Sequence, residues 1–166
     1  KLIIGRARLA MGDRVGALQI LEGVIEEQYP PTWAEAQVAH TNARFGAGEI
    51  DAAEAIDRLE RLLFVWRGGP FELSLLKNLN GLYLKKGDFR GAMTSLRTIK
   101  TAFKGTNDSI EAEAQLLSLF LQLYREGDSD QLPPIMALAL YNDFSELTPD
   151  GEDGDEVINK LADRLI

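Results

Sequence analysis

The chain has one histidine, His40, and no cysteine. A Ser-His-Asp or Cys-His relay therefore has a single candidate base and no thiolate. His40 stands between Ala36 and Ala43 in a helical pattern, a setting that suits a packed residue at a helix crossing better than a ligand or a switch. No G-x-x-x-x-G-K-[ST] loop, G-x-G-x-x-G turn or H-E-x-x-H pair occurs. The acidic run from Asp150 to Glu156 has the look of a calcium loop, but an EF-hand starting at Asp150 would need an oxygen ligand where Gly154 stands and a glutamate where Leu161 stands. It reads instead as a solvated loop whose acids cap and start a final helix. No catalytic residue, metal or cofactor is expected.

Charge narrows the partners. The net charge is −8, opposite to the balance of a general nucleic-acid binder. Within it, Lys77, Lys85, Lys86, Arg90, Arg97, Lys100 and Lys104 share a stretch whose only acid is Asp88. Arg90, Arg97 and Lys104 recur every seventh residue and so form a stripe on one side of a helix. The stripe is either an ordinary solvated face or a contact for acidic residues, including those of neighbouring repeats of a parent chain. The longest apolar run, Leu116 to Leu123, is too short to cross a bilayer, so no membrane insertion of this segment is expected.

The elements that carry these residues are helices. Apolar residues recur with helical spacing in nearly every segment, and no useful period-two alternation appears. The stripes are Ile3, Ile4, Ala7, Met11; then Val15, Leu18, Leu21, Val24, Ile25; then Trp33, Ala36, Ala39, Ala43; then Ala52, Ile56, Leu59, Leu62, Leu63, Trp66. They continue as Leu73, Leu76, Leu79, Tyr83; Phe89, Ala92, Met93, Leu96, Ile99; Leu116, Leu119, Phe120, Leu123, Tyr124; Ala137, Leu140, Tyr141, Phe144; and Val157, Ile158, Leu161, Leu165. Breaks fall at Tyr29 to Thr32, Gly46 to Gly48, Arg67 to Pro70, Lys86 to Asp88, Lys104 to Asn107, Gly127 to Asp130 and Thr148 to Gly151. Thr32 is the expected cap of the third helix, and Asp108 or Ser109 that of the seventh. Eight helices and a ninth at the end follow, an all-α antiparallel array.

The helices pair into a repeating unit. Gly87-Asp88 is followed by Ala92, Leu96 and Ile99, and Gly12-Asp13 by Ala17, Leu21 and Val24 at the same spacing. A second unit is read from Ala52, Ile56 and Leu59, with Ala47 at the turn; a fourth from Gly127-Asp128, Ala137, Tyr141 and Phe144 after a longer turn. The alanine admits close approach of the two helices, the glycine closes the first helix and the aspartate caps the second. One hairpin leaves an apolar face open, and stacking the next one covers it.

Leu76, Leu79, Tyr83, Gly87-Asp88-Phe89, Ala92, Leu96 and Ile99 make the third unit resemble a tetratricopeptide repeat. Gly5 and Ala17 fit the same frame; His40 replaces its small residue in the second unit, and Asn80 does so in the third. The resemblance covers most of residues 1–149. It implies helix hairpins stacked as a right-handed α-α superhelix, a TPR-like solenoid. The expected units are 1–30, 32–68, 70–104 and 108–148 in a single domain, with 151–166 starting a further repeat or capping the array. The chain begins at Lys1 inside an apolar pattern and ends on Leu165-Ile166, which suggests a piece of a longer protein. The lack of cysteine and the many alanines are compatible with a bacterial origin, with cytoplasm and periplasm both open.

The resemblance also implies a function: a non-catalytic scaffold that binds a protein or peptide in a groove lined by the first helix of each pair. Register assigns that groove Arg6 and Leu9; Gln37, Thr41 and Arg44; Lys77, Gly81, Leu84 and Lys85; and Leu117, Leu121, Tyr124 and Arg125, of which Leu117, Leu121 and Tyr124 are equally suited to burial by the longer fourth unit. Gly81 stands where a carboxylate clamp would need asparagine, so no such clamp is expected. The alternative is a structural stacking segment of a longer solenoid, with contacts only inside its parent protein.

Overall fold

The computed structural model describes residues 1–27, 30–127 and 132–163. Tyr29 at the first of the breaks, Asp128 to Asp130 in the fourth unit's turn, and Leu165 in the last stripe lie outside the described residues. Among the described residues nine α-helices follow one another: α1 Leu2–Ala10, α2 Arg14–Glu26, α3 Pro30–Gly46, α4 Ala52–Val65, α5 Gly69–Lys86, α6 Phe89–Ala102, α7 Asn107–Tyr124, α8 Pro134–Asp143 and α9 Glu152–Asp163. A short 3-10 turn, Ser145–Leu147, precedes α9. No strand occurs among the described residues, so the chain is all-α as the spacing predicts. Among the described residues no helix is long and apolar enough to cross a membrane.

Three turns are built alike. Gly12, Gly48 and Gly87 end α1, α3 and α5, and the next amide returns to a carbonyl five residues back: Asp13 to Arg8, Glu49 to Arg44, Asp88 to Tyr83. At Gly87, φ is +75°, and at Gly48 +71°, a region glycine enters without a Cβ clash. Each following helix is then capped by an aspartate. Asp13 accepts from the Gly16 amide at 3.0 Å, Asp51 from Glu54 at 2.8 Å and Asp88 from Gly91 at 2.9 Å. Four residues after each cap stands an alanine with no exposed surface: Ala17, Ala55 and Ala92.

This geometry corrects the second unit. The turn glycine is Gly48, not Ala47, and the capping aspartate follows three residues later rather than one. The packed alanine is Ala55; Ala52 opens α4 and is only half-buried. Leu59 and Leu62, not Ile56 and Leu59, take the two apolar positions that follow it, although all three are buried. The same shift puts Thr41 rather than His40 at the position of Gly5 and Asn80. Thr41 is fully buried there, its hydroxyl without a hydrogen-bond partner. Gly5 shows why the position is small: a Cβ on it would lie 2.9 Å from a Leu21 methyl.

Two expected caps also differ. Thr32 lies inside α3, which begins at Pro30. Thr106, not Asp108 or Ser109, caps α7, its hydroxyl accepting from the Ser109 amide at 3.2 Å. The first stripe is corrected too. Ile3, Ile4, Ala7 and Met11 point outward, while Leu2 and Leu9 pack onto Leu21, Val24 and Ala36.

The chain forms two compact units, Lys1–Ser95 and Leu96–Ile166, and their boundary falls inside α6. In the first, consecutive helices pack on one another from α1 to α5, and α1 also meets α3. In the second, the core holds Phe120, Phe144, Leu116, Leu123 and Val157, all essentially inaccessible. Phe120, Tyr124 and Tyr141 form an aromatic cluster with centroid distances of 4.9, 5.6 and 6.0 Å. The Tyr124 hydroxyl donates to the carbonyl of Ala137 at 2.9 Å, and Ala137 is fully buried.

Candidate functional site

A groove of about 660 Å³ opens within the first unit, and every residue lining it comes from α1, α3 or α5, the first helices of three pairs. Arg6 and Leu9 of α1 form one side. Glu35, Val38, Ala39, Asn42 and Ala43 of α3 form the floor, on one face of that helix. Pro70, Phe71, Ser74 and Asn78 of α5 close the other side. The small Ala39 and Ala43 leave the floor low, so the gap between flanking helices stays open.

The polar groups of the groove are few and placed. Asn42 Nδ2 donates to Asn78 Oδ1 at 2.7 Å, bridging α3 and α5, and Asn78 Nδ2 donates to the Ser74 carbonyl at 2.8 Å. Each amide keeps further donor and acceptor capacity beyond these bonds. Arg6 and Glu35 pair across the rim at 3.3 Å; both are exposed, so the pair contributes little to stability. Phe71 is held edge-on to Trp66, centroids 5.8 Å apart. The start of α5 is fixed by buried Glu72, whose carboxylate accepts from the Gly68 amide at 2.5 Å and meets Arg67 at 3.6 Å. Glu35 is the only acid or base beside Arg6 in the lining, so no nucleophile–base pair is assembled.

The expected groove residues fall in several places. Arg6 and Leu9 line the groove. Gln37 does not: it lies in a second groove, about 540 Å³, between α3 and α4. Thr41 is buried in the hairpin crossing. Arg44 Nε binds Glu49 at 3.2 Å. Lys77 and Leu84 are exposed on α5, Gly81 is half-buried, and the Lys85 ammonium sits 5.0 Å from the Phe45 ring centroid. In the second unit, Leu117 is exposed, Leu121 half-buried, and Tyr124 is buried rather than open to a ligand. Arg125 pairs with Asp153 and Glu156 of α9, each at 3.2 Å.

One error accounts for the misplacement on α3. Counting back from Gly48 instead of Ala47 moves the register by one residue, which turns the predicted face by about 100°. The groove face then falls on Val38 and Asn42 rather than Gln37 and Thr41. The signal was present in the sequence as Gly48 followed by Asp51 and Ala55. Nothing in the spacing marked Phe71 or Asn78, whose positions depend on how α5 crosses α3.

The basic stripe is also divided. Arg90 is exposed near the start of α6, and Lys104 lies beyond the helix end at Ala102. Arg97 is turned inward: Nη1 donates to the Asp143 carbonyl at 2.8 Å, lies 3.6 Å from Glu146, and the guanidinium stacks 4.3 Å from the Phe144 ring centroid. His40 is buried, with Nε2 3.3 Å from Glu22 of α2 and Nδ1 unpartnered. The acids Glu152, Asp153 and Asp155 occupy the first turn of α9, and no metal-binding group of acids or histidine is found among the described residues.

Burial and the Glu60 carboxylate that accepts its hydroxyl push the Tyr83 phenol well above its ordinary range. The Lys160 hydrogen bond and charge, with Arg125 adding to them, hold the exposed Glu156 carboxyl below its ordinary value. Both shifts belong to packing ties, and neither group lines a groove. Compared with protein-family models, curated proteins and solved structures, the chain has no significant match.

Proposed function

We propose that this chain is a non-catalytic, TPR-like helical-repeat scaffold that binds a protein or peptide segment in the groove of α1, α3 and α5. The observation that carries this reading is that three first helices line one groove, with apolar walls and a shared Asn42–Asn78 amide pair. Apolar side chains of a ligand would fill the space against Leu9, Val38 and Phe71. The spare amide capacity of Asn42 and Asn78 suits the donor and acceptor of a peptide group. The solenoid and its right-handed superhelix belong to the same proposal, supported by three turns with equivalent glycine, aspartate and alanine.

The test is site-specific photocrosslinking in the full-length protein. A photoreactive residue at Val38 should capture a polypeptide, and one at Gln37, around the helix, should not. Capture at Val38 should fail when Asn42→Arg fills the floor. Equal capture at both positions, or none at Val38, would count against the groove.

A structural stacking role within a longer solenoid is the second reading. It is favoured by the outer face of α1, where Ile3, Ile4 and Met11 are more than half exposed. Counting back from the turn glycines, Ile4 is the counterpart of His40, which α2 covers. Chains extended by flanking hairpins should then melt at higher temperature and with one transition. An unchanged melt would remove this reading.

A further inference from the structure

The outer face of α4 carries a pattern that neither the groove nor the hairpin core uses. Ala53, Asp57, Arg61 and Phe64 recur at spacings of four, four and three, and all four are exposed. Phe64 is 83% exposed and its neighbour Val65 66%. Phe64 and Val65 form an adjacent exposed apolar pair on a helix whose other face is committed to a core through Ala55, Ile56, Leu59 and Leu62. The second groove, about 540 Å³, runs along the same helix, with Trp33, Leu62 and Val65 as its apolar part.

The order of these residues along the helix is what identifies the occupant. The small and acidic positions, Ala53 and Asp57, are in the first half. The basic and large ones, Arg61 and Phe64, are in the second. Two such helices laid antiparallel bring unlike ends together: Arg61 opposite Asp57 twice, and Phe64 opposite Ala53 twice. Each large side chain meets a small one, and each cation meets an anion. That is the self-complementarity a two-fold interface requires. Within one chain Asp57 and Arg61 already pair at 2.6 Å, with side chains 57% and 74% exposed, so both are available to join a four-membered charge cluster.

We infer that α4 is a homodimerisation helix and that its partner is the α4 of a second copy of this chain, antiparallel across a two-fold axis near Arg58 and Leu59. The α4 face is about 20 Å long, which places the contact at the low end of interface sizes. The association is therefore expected to be weak and reversible. It uses a different face from the α1–α3–α5 groove, so a dimer keeps its grooves free.

Sedimentation of the full chain across about 1 to 200 µM tests this. A monomer–dimer equilibrium is expected. Phe64→Asp should weaken it by at least about tenfold, because it loses the aromatic contact at both ends of the interface. Asp57→Arg alone and Arg61→Asp alone should each leave the chain monomeric, because like charges then face each other. Mixing the two single variants should recover a heterodimer with both charge pairs restored, and the double variant should recover a homodimer. All four positions are exposed, so helical circular dichroism should stay unchanged and folding failure is checked directly. A chain that is monomeric throughout, or a dimer indifferent to Phe64→Asp, or two single variants that fail to associate when mixed, would overturn the inference. In those cases the patch belongs to a different partner or to none.

Discussion

Ala55 and Ala137 reach the same state by different means. Both are completely buried where two helices of a pair meet. Around Ala55 the approach is local: a glycine turn, the Asp51 cap and an alanine four residues on, all within one short stretch. Around Ala137 it comes from residues distant in sequence. Tyr124 reaches across from α7 to bond its carbonyl, and the rings of Phe120 and Tyr141 pack against the Tyr124 ring. The first unit is thus organised by its turns, and the second by an aromatic cluster. A turn fixes geometry through backbone hydrogen bonds, whereas a cluster fixes it through buried area.

Deleting the cluster should have the largest effect. Phe120→Ala removes a fully buried ring at the centre of the three-ring group and should cost about 3–5 kcal/mol. Chemical denaturation would measure it; a cost below that of an ordinary surface change would show that the turns also organise the second unit. Next comes overpacking in the first unit. Ala55→Leu should cost about 1–3 kcal/mol, and Ala52→Leu clearly less, since only Ala55 is at the crossing. Equal losses at the two sites would erase the register assigned to α4.

Removing a turn's cap should be smaller. Asp51→Ala leaves the Glu54 amide without its acceptor and should cost about 0.5–2 kcal/mol, with Asp13→Ala and Asp88→Ala in the same range. A loss confined to one of the three would break their equivalence. The smallest effect is pH-dependent. The Tyr83 phenol is raised in the folded state, so its contribution is fully present below the ordinary tyrosine range and fades as pH rises through that range and beyond. Tyr83→Phe should cost about 0.5–1.5 kcal/mol at neutral pH and flatten the alkaline part of a melting profile. An alkaline limb unchanged by Tyr83→Phe would assign that sensitivity elsewhere.

The same contrast explains how far the sequence could be read. The hairpins at Gly12-Asp13 and Gly87-Asp88 were legible because glycine, cap and alanine fall at fixed short spacings. The second hairpin was legible in kind but misread in register, since two extra residues separate Gly48 from Asp51. That slip carried Gln37 and Thr41 onto the expected binding face and left out Val38 and Asn42. For Arg97 the linear pattern shows a charge that suits a solvated face or an acidic contact, but not the Phe144 ring and Asp143 carbonyl that it meets beside Glu146. Tyr124 is buried, which is the alternative that the longer fourth unit allows.

By itself the sequence determined that this protein is helical, where most helices begin and end, and which of them are joined by tight turns. Those properties follow from hydrophobic period, capping groups and glycine, all of which act within a few residues. Only the tertiary structure decided which face of α3 looks into a groove, that Asn42 meets Asn78, and that Ile3 and Ile4 lie outside the core. These depend on how helices cross, and a crossing is set by the fit of side chains far apart in the chain.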